Sequence, residues 1–226
     1  MATTYLDFSA LSITDNAISQ DTQLDFFLNA KALSPKTSLH FTVAKNVSLT
    51  LIFVDLLSTP LTLSVVVDLQ EGSKADVKVA SLCPEGADKI FSINVNHFGK
   101  KSYSRTTMAG INLGSSSLKF LGNSYIQNGA SGSDTRQEGK ITNLSPNSHS
   151  EVSPALLIKE NDVKASHGAA LGAYNPDVLY YLMSRGLSLD ESKKLITFGN
   201  LLPVIESLQD KNRIDEAKKV LGSFVL

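Results

Sequence analysis

Tryptophan is absent from the 226 residues, and cysteine occurs once, as Cys83. A single thiol excludes an internal disulfide and any cysteine-built metal centre within one chain, and such a chain fits a reducing cytoplasm. Charge of one sign is also missing, since 21 Lys and Arg face 22 Asp and Glu for a net charge of −1. No global field exists to hold a polyanion, which argues against nucleic acid as a ligand. The longest apolar stretch, Leu49 to Val67, is broken by Thr50, Asp55, Ser58, Thr59, Pro60 and Thr62. It cannot supply the roughly 20 apolar residues of a membrane span. Met1 to Asp7 lacks both a basic n-region and an apolar h-region, so no secretory signal is expected there. A soluble cytoplasmic protein is the expectation, with one large domain or one domain plus a small appendage.

What is present begins with short β-branched runs between about Phe41 and Leu121. They start near Leu49, Leu61, Ala75, Ile90, Tyr103 and Ser117, a loose beat of 12 to 15 residues without a consensus residue. Leu61-Thr62-Leu63-Ser64-Val65 and Ala75-Asp76-Val77-Lys78-Val79 alternate apolar with polar, which buries one strand face and wets the other. Turn-forming residues punctuate the runs at Gln70–Ser73, Cys83–Gly86, His97–Lys100 and Gly114–Ser116. An all-β body follows, either a sandwich or a stack of coils. The wide beat favours coils, and no Asn-Gly or Asp-Gly sits between paired runs to signal a hairpin. The one Asn-Gly, Asn128-Gly129, opens a polar stretch to Asp134 that reads as a mobile surface loop.

From Asn175 the period changes. Asn175-Pro176-Asp177 offers an N-cap, a proline at the first helical position and an acid in the first turn, and Gly186 offers a stop. Ser188-Leu189-Asp190-Glu191 is a capping box for a second helix expected to end at Gly199. Pro203 reads as the start of a third helix through Leu208, and Asn212 as the cap of a fourth whose face is Ile214, Ala217, Val220 and Leu221. These boundaries predict a β core over residues 1–172 and a helical domain over 173–226.

Motifs of enzymatic chemistry are scarce. There is no nucleophile elbow or Walker loop, and Gly110-Ile111-Asn112-Leu113-Gly114 lacks the spacing of a dinucleotide fingerprint. His40, His97, His149 and His167 form no metal-ligand spacing with one another. His40, His97 and His149 read as structural or solvated, while His167 stands out by its small neighbours in Ala165-Ser166-His167-Gly168-Ala169, which let another backbone come close. Asp134, Arg136 and Glu138 could form an acid/base set, but a solvated charged strand face explains them better. A β-helical carbohydrate-active enzyme would need clustered carboxylates and aromatic platforms, and the lack of tryptophan argues against it.

Between Ser104 and Gly199 the chain resembles the SufB/SufD family of iron–sulfur cluster assembly scaffolds, most closely its SufD-type members. The resemblance rests on Gly110-Ile111, Phe120-Leu121-Gly122-Asn123, Asp134, Gln137, Asn143-Leu144-Ser145, Pro154-Ala155-Leu156-Leu157-Ile158, Asp162-Val163, Ser166-His167-Gly168-Ala169, Gly172 and Tyr181-Leu182-Met183-Ser184-Arg185-Gly186. It departs at Ala165, where many relatives carry cysteine, and at Asn161-Asp162, where paired aspartates are common. The usual scaffold is also longer, with an N-terminal helical domain, so a minimal version is expected here.

The resemblance implies a right-handed parallel β-helix with a small C-terminal α-helical domain, and a scaffold rather than an enzyme. It implies pairing with a SufB-like subunit or with a second copy, and docking of a SufC-like ABC ATPase through the C-terminal helices, where Tyr180, Leu182, Met183, Arg185 and Gly186 are the candidate contacts. His167 matches a histidine that faces the partner and serves the nascent cluster, which makes it the candidate metal and cluster residue. No resident cofactor is implied, only a transient iron–sulfur cluster shared with the partner. A solenoid module that binds an ATPase without iron or sulfur chemistry is the competing reading.

Overall fold

A computed structural model of the chain describes residues 15–28 and 35–223, so the signal-peptide reading of Met1 to Asp7 lies outside the described residues. Two six-stranded sheets face each other. One contains β1 (Asn16–Ile18), β3 (Lys36–Val43), β5 (Leu61–Leu69), β7 (Asp88–His97), β9 (Ser117–Ile126) and β11 (His149–Ile158), in that order. The other contains β2 (Thr22–Leu28), β4 (Ser48–Asp55), β6 (Lys74–Cys83), β8 (Tyr103–Asn112), β10 (Ser133–Asn143) and β12 (Val163–Ala173). Successive strands alternate between the sheets and every pairing is parallel, so the chain winds as a β-solenoid with two long strands per coil. The runs expected from sequence begin within two residues of the observed strands. Parallel coils need no hairpins, which is why hairpin signals are missing.

Alternation decides which face is inside. Along β5, Leu61, Leu63, Val65, Val67 and Leu69 are buried, while Thr62, Ser64, Val66 and Asp68 are half-buried on the outer surface. In-register stacking then lines up like with like: Phe26 stacks on Phe53 at 4.5 Å between ring centroids, and Phe91 meets Phe120 edge-on at 5.7 Å. Such pairs contribute beyond their buried area. Between the two sheets Gly110 faces Phe120 and Leu118, and a Cβ there would lie 2.6 Å from the Leu118 side chain.

The corners repeat as well. Asn46, Gly72, Lys101 and Gly132 all adopt positive φ at corresponding bends of successive coils. Each donates its backbone N–H to the next coil, at the carbonyls of Glu71, Lys100, Ser131 and Asp162. The stretch from Asn128 to Asp134 belongs to this ladder, with Ala130 and Ser133 fully buried. It is a stacked corner and not the loose loop expected from its Gly, Ala and Ser content, because its backbone groups are paired to both neighbouring coils.

Three helices follow: α1 (Pro176–Ser184), α2 (Leu189–Ile205) and α3 (Lys211–Ser223). The first two caps are as read from sequence, with the Asn175 side chain accepting from Asp177 N and Ser188 and Glu191 forming the reciprocal capping box. The expected stop at Gly199 and restart at Pro203 do not occur. Helix α2 runs through both, because Leu201, Val204 and Ile205 are held against the outer face of the even-numbered sheet over Ile52, Val54, Ala80, Leu82, Ala109 and Ile111. Packing there outweighs the helix cost of glycine and proline. Helix α3 is capped by Asp210 rather than Asn212, since the Asp210 carboxylate accepts from Asn212 N at 2.9 Å. Its Ala217 and Leu221 join the same outer core, and α1 buries no residue.

An ion pair lies inside the stack. Lys89 faces inward on β7 with no exposure and donates to Asp55 at 2.7 Å and to the carbonyls of Leu57 and Leu82 at 2.7 and 2.8 Å. Asp55 also accepts from Ser81 at 2.7 Å, and burial raises its carboxyl above the ordinary range against the pull of Lys89. Lys89→Met strands this carboxylate and is expected to cost about 3–5 kcal/mol, the range for breaking a buried ion pair. Chemical denaturation at neutral pH measures it. Because the orphaned Asp55 binds its proton more readily folded than unfolded, the deficit should shrink as the pH is lowered.

Candidate functional site

The inward columns change chemistry from one end of the solenoid to the other. One column of the even sheet reads Leu24, Leu51, Val77, Thr106, Gln137, His167 in register. Its neighbour reads Leu49, Ala75, Ser104, Thr135, Ala165. On the facing sheet Phe41, Val67, Val95, Ser124 and Leu156 form another. Hydrocarbon gives way to hydroxyl and amide in the later coils, although Ser104, Thr106, Ser124, Thr135 and Gln137 are all buried.

These groups hydrogen-bond to one another. His97, fully buried at the end of β7, lies 2.8 Å from Ser102 Oγ through Nδ1 and 2.8 Å from Ser104 Oγ through Nε2. Ser104 meets Thr135 at 2.7 Å, and Thr135 meets Ser124 at 2.9 Å. Gln137 Nε2 donates to Ser124 Oγ at 2.5 Å and to the Ala155 carbonyl at 3.3 Å, whereas Gln137 Oε1 is buried without a partner. Burial without charge compensation pushes His97 down to about 4, so the imidazole is neutral at physiological pH.

The last coil is open. Among the described residues β11 pairs only with β9, and β12 only with β10, so one edge of each strand offers free backbone groups. The inward side chains there have nothing stacked on them: Leu171 is 54% and Ile158 41% exposed. His167 sits on this rim, exposed, on the same face as its register partner Gln137 and flanked inward by Ala165 and Ala169. The outward residues Gly168 and Ala170 leave a cleft of about 500 Å³ against Gly199, Asn200 and Pro203 of α2.

The residues expected to bind an ATPase lie on or beside α1, away from this interior chemistry. Tyr180 is 77% exposed, Met183 is exposed, and Leu182 is half-buried. Arg185 rests over the Tyr181 ring at 5.3 Å from its centroid, a cation–π contact, and Gly186 adopts φ +95° as the helix stop. Asp134, Arg136 and Glu138 lie along β10, where Arg136 Nε donates to Glu138 at 2.8 Å across an exposed face. Cys83 is buried and its thiol is pushed up to about 11, an inert state. Among the described residues no three His, Cys, Asp or Glu side chains come together as a metal set. Among the described residues no helix is long and apolar enough to cross a membrane.

Sequence reasoning singled out His167 and missed the network behind it. The available signal was the hydroxyl or amide at alternate, inward positions of β8, β9 and β10, at Ser104, Thr106, Ser124, Thr135 and Gln137.

The family model for the SUF system FeS cluster assembly SufBD core domain matches residues 26–200. The iron–sulfur cluster assembly protein SufD of Bacillus subtilis is 35% identical over 155 residues, which cover 69% of this chain and 35% of that protein. SufD of Escherichia coli is 29% identical over 80 residues, 34% of this chain and 19% of its own. A SufBD family protein of Pyrococcus horikoshii is 33% identical over 78 residues, 34% of this chain and 17% of its own. The chain thus matches about a third or less of the length of these relatives.

Acid should loosen the interior at His97. An unfolded imidazole titrates near 6.5 and the folded one at about 4, so between these values the unfolded state binds more protons and stability falls as the pH falls. The loss is expected to total roughly 3 kcal/mol, read as a falling melting temperature between pH 7 and 4. His97→Gln should melt lower at pH 7 but decline less steeply across that window.

Proposed function

This chain belongs to the SufBD family of the SUF iron–sulfur assembly system, and on that premise we propose that it is a non-enzymatic scaffold subunit which lends its open last coil to a partner. The partner is a SufB-like subunit or a second copy of this chain. The observation that carries the reading is the rim itself: two unpaired strand edges, exposed Ile158 and Leu171, and one imidazole among small side chains. Free N–H and C=O groups of a strand edge add a further strand from another chain, and such an edge is a liability unless it is covered. Ala165, Gly168, Ala169 and Ala170 let that chain approach closely, which brings His167 into the seam.

A nascent iron–sulfur cluster is the cargo of this seam. One imidazole is one ligand, and thiolates suit iron and sulfur better, so the partner supplies the remaining ligands. The single thiol of this chain is buried at Cys83, in keeping with a subunit that contributes nitrogen rather than sulfur. Helix α1 suits a second partner, a SufC-like ATPase, because its exposed Tyr180 and Met183 and the Arg185–Tyr181 pair combine apolar area with a cation. A cytoplasmic location goes with this assignment.

Anaerobic reconstitution with the SufB-like subunit and ATPase of the same organism tests it. His167→Ala is expected to keep the fold, with a stability loss no larger than that of one unpaired buried acceptor, about 1–3 kcal/mol, and to keep subunit pairing while losing cluster absorption. Normal cluster formation by this variant would return the chain to a solenoid interaction module without iron chemistry. Arg185→Glu should abolish co-purification with the ATPase and leave cluster-seam pairing intact, and unchanged ATPase binding would remove α1 as the dock.

A further inference from the structure

The buried network has a direction, and the direction can be deduced. The Ala155 carbonyl can only accept, so the Gln137 group beside it is the amide nitrogen, and Ser124 Oγ, on the same nitrogen, accepts as well. Each hydroxyl in the series owns one hydrogen and buried donors are used. Ser124 must therefore donate to Thr135, Thr135 to Ser104, and Ser104 to His97 Nε2. His97 then carries its proton on Nδ1 and donates it to Ser102, whose own hydrogen goes to the Gly99 carbonyl at 3.0 Å. From Gln137 to His97 every donor is satisfied by this one arrangement, and beyond His97 the Ser102 hydroxyl also meets Ser133 Oγ at 2.9 Å.

The far end of the run is the Gln137 carbonyl oxygen, a buried acceptor without a donor on a residue only 2% exposed. It lies 2.8 Å from where a Gly122 side chain would begin, and the residue stacked on Gly122 is Pro154, which has no N–H. Around it on the inward face of the last coil, Ala165, Ala169, Pro154 and Leu156 have no side-chain donor. His167, in register directly on Gln137, has one.

We propose that Gln137 is a positioning residue for His167: its carboxamide oxygen accepts one imidazole N–H, fixes the tautomer, and turns the other nitrogen's lone pair out of the open end. The inference deepens the scaffold reading, since a histidine that ligates cargo needs a bare nitrogen aimed at the seam. The polarity of the column supplies this. Had the run ended in a donor, the lone pair would be drawn inward and the N–H would face the partner.

Nitrogen-15 NMR of the histidine rings in the full chain, at a pH where the imidazoles are neutral, tests the proposal apart from cluster chemistry. Wild-type His167 is expected to favour one tautomer by roughly fivefold or more over the other, the factor of one net hydrogen bond. Gln137→Met should bring the ratio back to that of a free imidazole, and His97 should remain Nδ1-protonated in wild type. If Gln137→Met does not fold, Ser124→Ala, which removes the shortest anchor of the amide, should move the ratio the same way by less. An unchanged His167 ratio in the folded variant, or His97 protonated on Nε2, overturns the proposal. Should the ratio shift as expected while His167→Ala still builds clusters, positioning stands and the scaffold reading fails.

Discussion

In a stack of parallel coils each side chain lies on its counterpart in the next coil, so packing is solved column by column. Coil length is free to vary, and it does: Asn16 pairs with Phe41, 25 residues on, while Ser117 pairs with His149, 32 residues on. Most of the extra residues lengthen the strands, from 7 in β2 to 11 in β10, while residues at positive φ at Asn46, Gly72, Lys101 and Gly132 hold the turn in the same shape. A shift of one residue in any strand would turn its whole inward set to solvent. The helices obey the same constraint at second hand, because α2 and α3 pack on an outer face whose apolar stripe exists only when β4, β6 and β8 are in register.

Column logic also explains where polar groups can be buried. Lys89 occupies an inward position in a column that otherwise reads Leu61, Leu118 and Ser150, and is tolerated because Asp55 and two carbonyls take its three protons. The His97 run has no charge and relies on complete pairing of hydroxyls, which fixes side-chain orientation more than it adds stability. Both devices reject register slips, since a slipped strand would leave a buried polar group unpaired.

Strand positions and the first two helix caps were legible because they are local: alternation marks strands, and Asn175 and Ser188 cap by bonding within their own turn. The continuity of α2 through Gly199 and Pro203 was not, because the deciding contacts come from strands about a hundred residues earlier, at Ala80, Leu82, Ala109 and Ile111. The paired corner at Asn128 to Asp134 was hidden for the same reason. His167 was found through its family motif and small neighbours, whereas Gln137, named only as part of that motif, gained its meaning from register, which a coil repeat of varying length conceals.

A solenoid must end, and its last coil exposes what a further coil would have covered. Continuing the Leu and Val columns to the rim would leave a flat apolar face with two bare strand edges, a surface prone to indiscriminate pairing. Here the columns turn to Thr, Ser and Gln one and two coils earlier, so the rim stands on a hydrogen-bonded floor with one buried oxygen left over. Such a floor favours an end that supplies a donor at one position over an end that is merely apolar. Selectivity of the rim is thus decided below it, in the interior of the coils beneath.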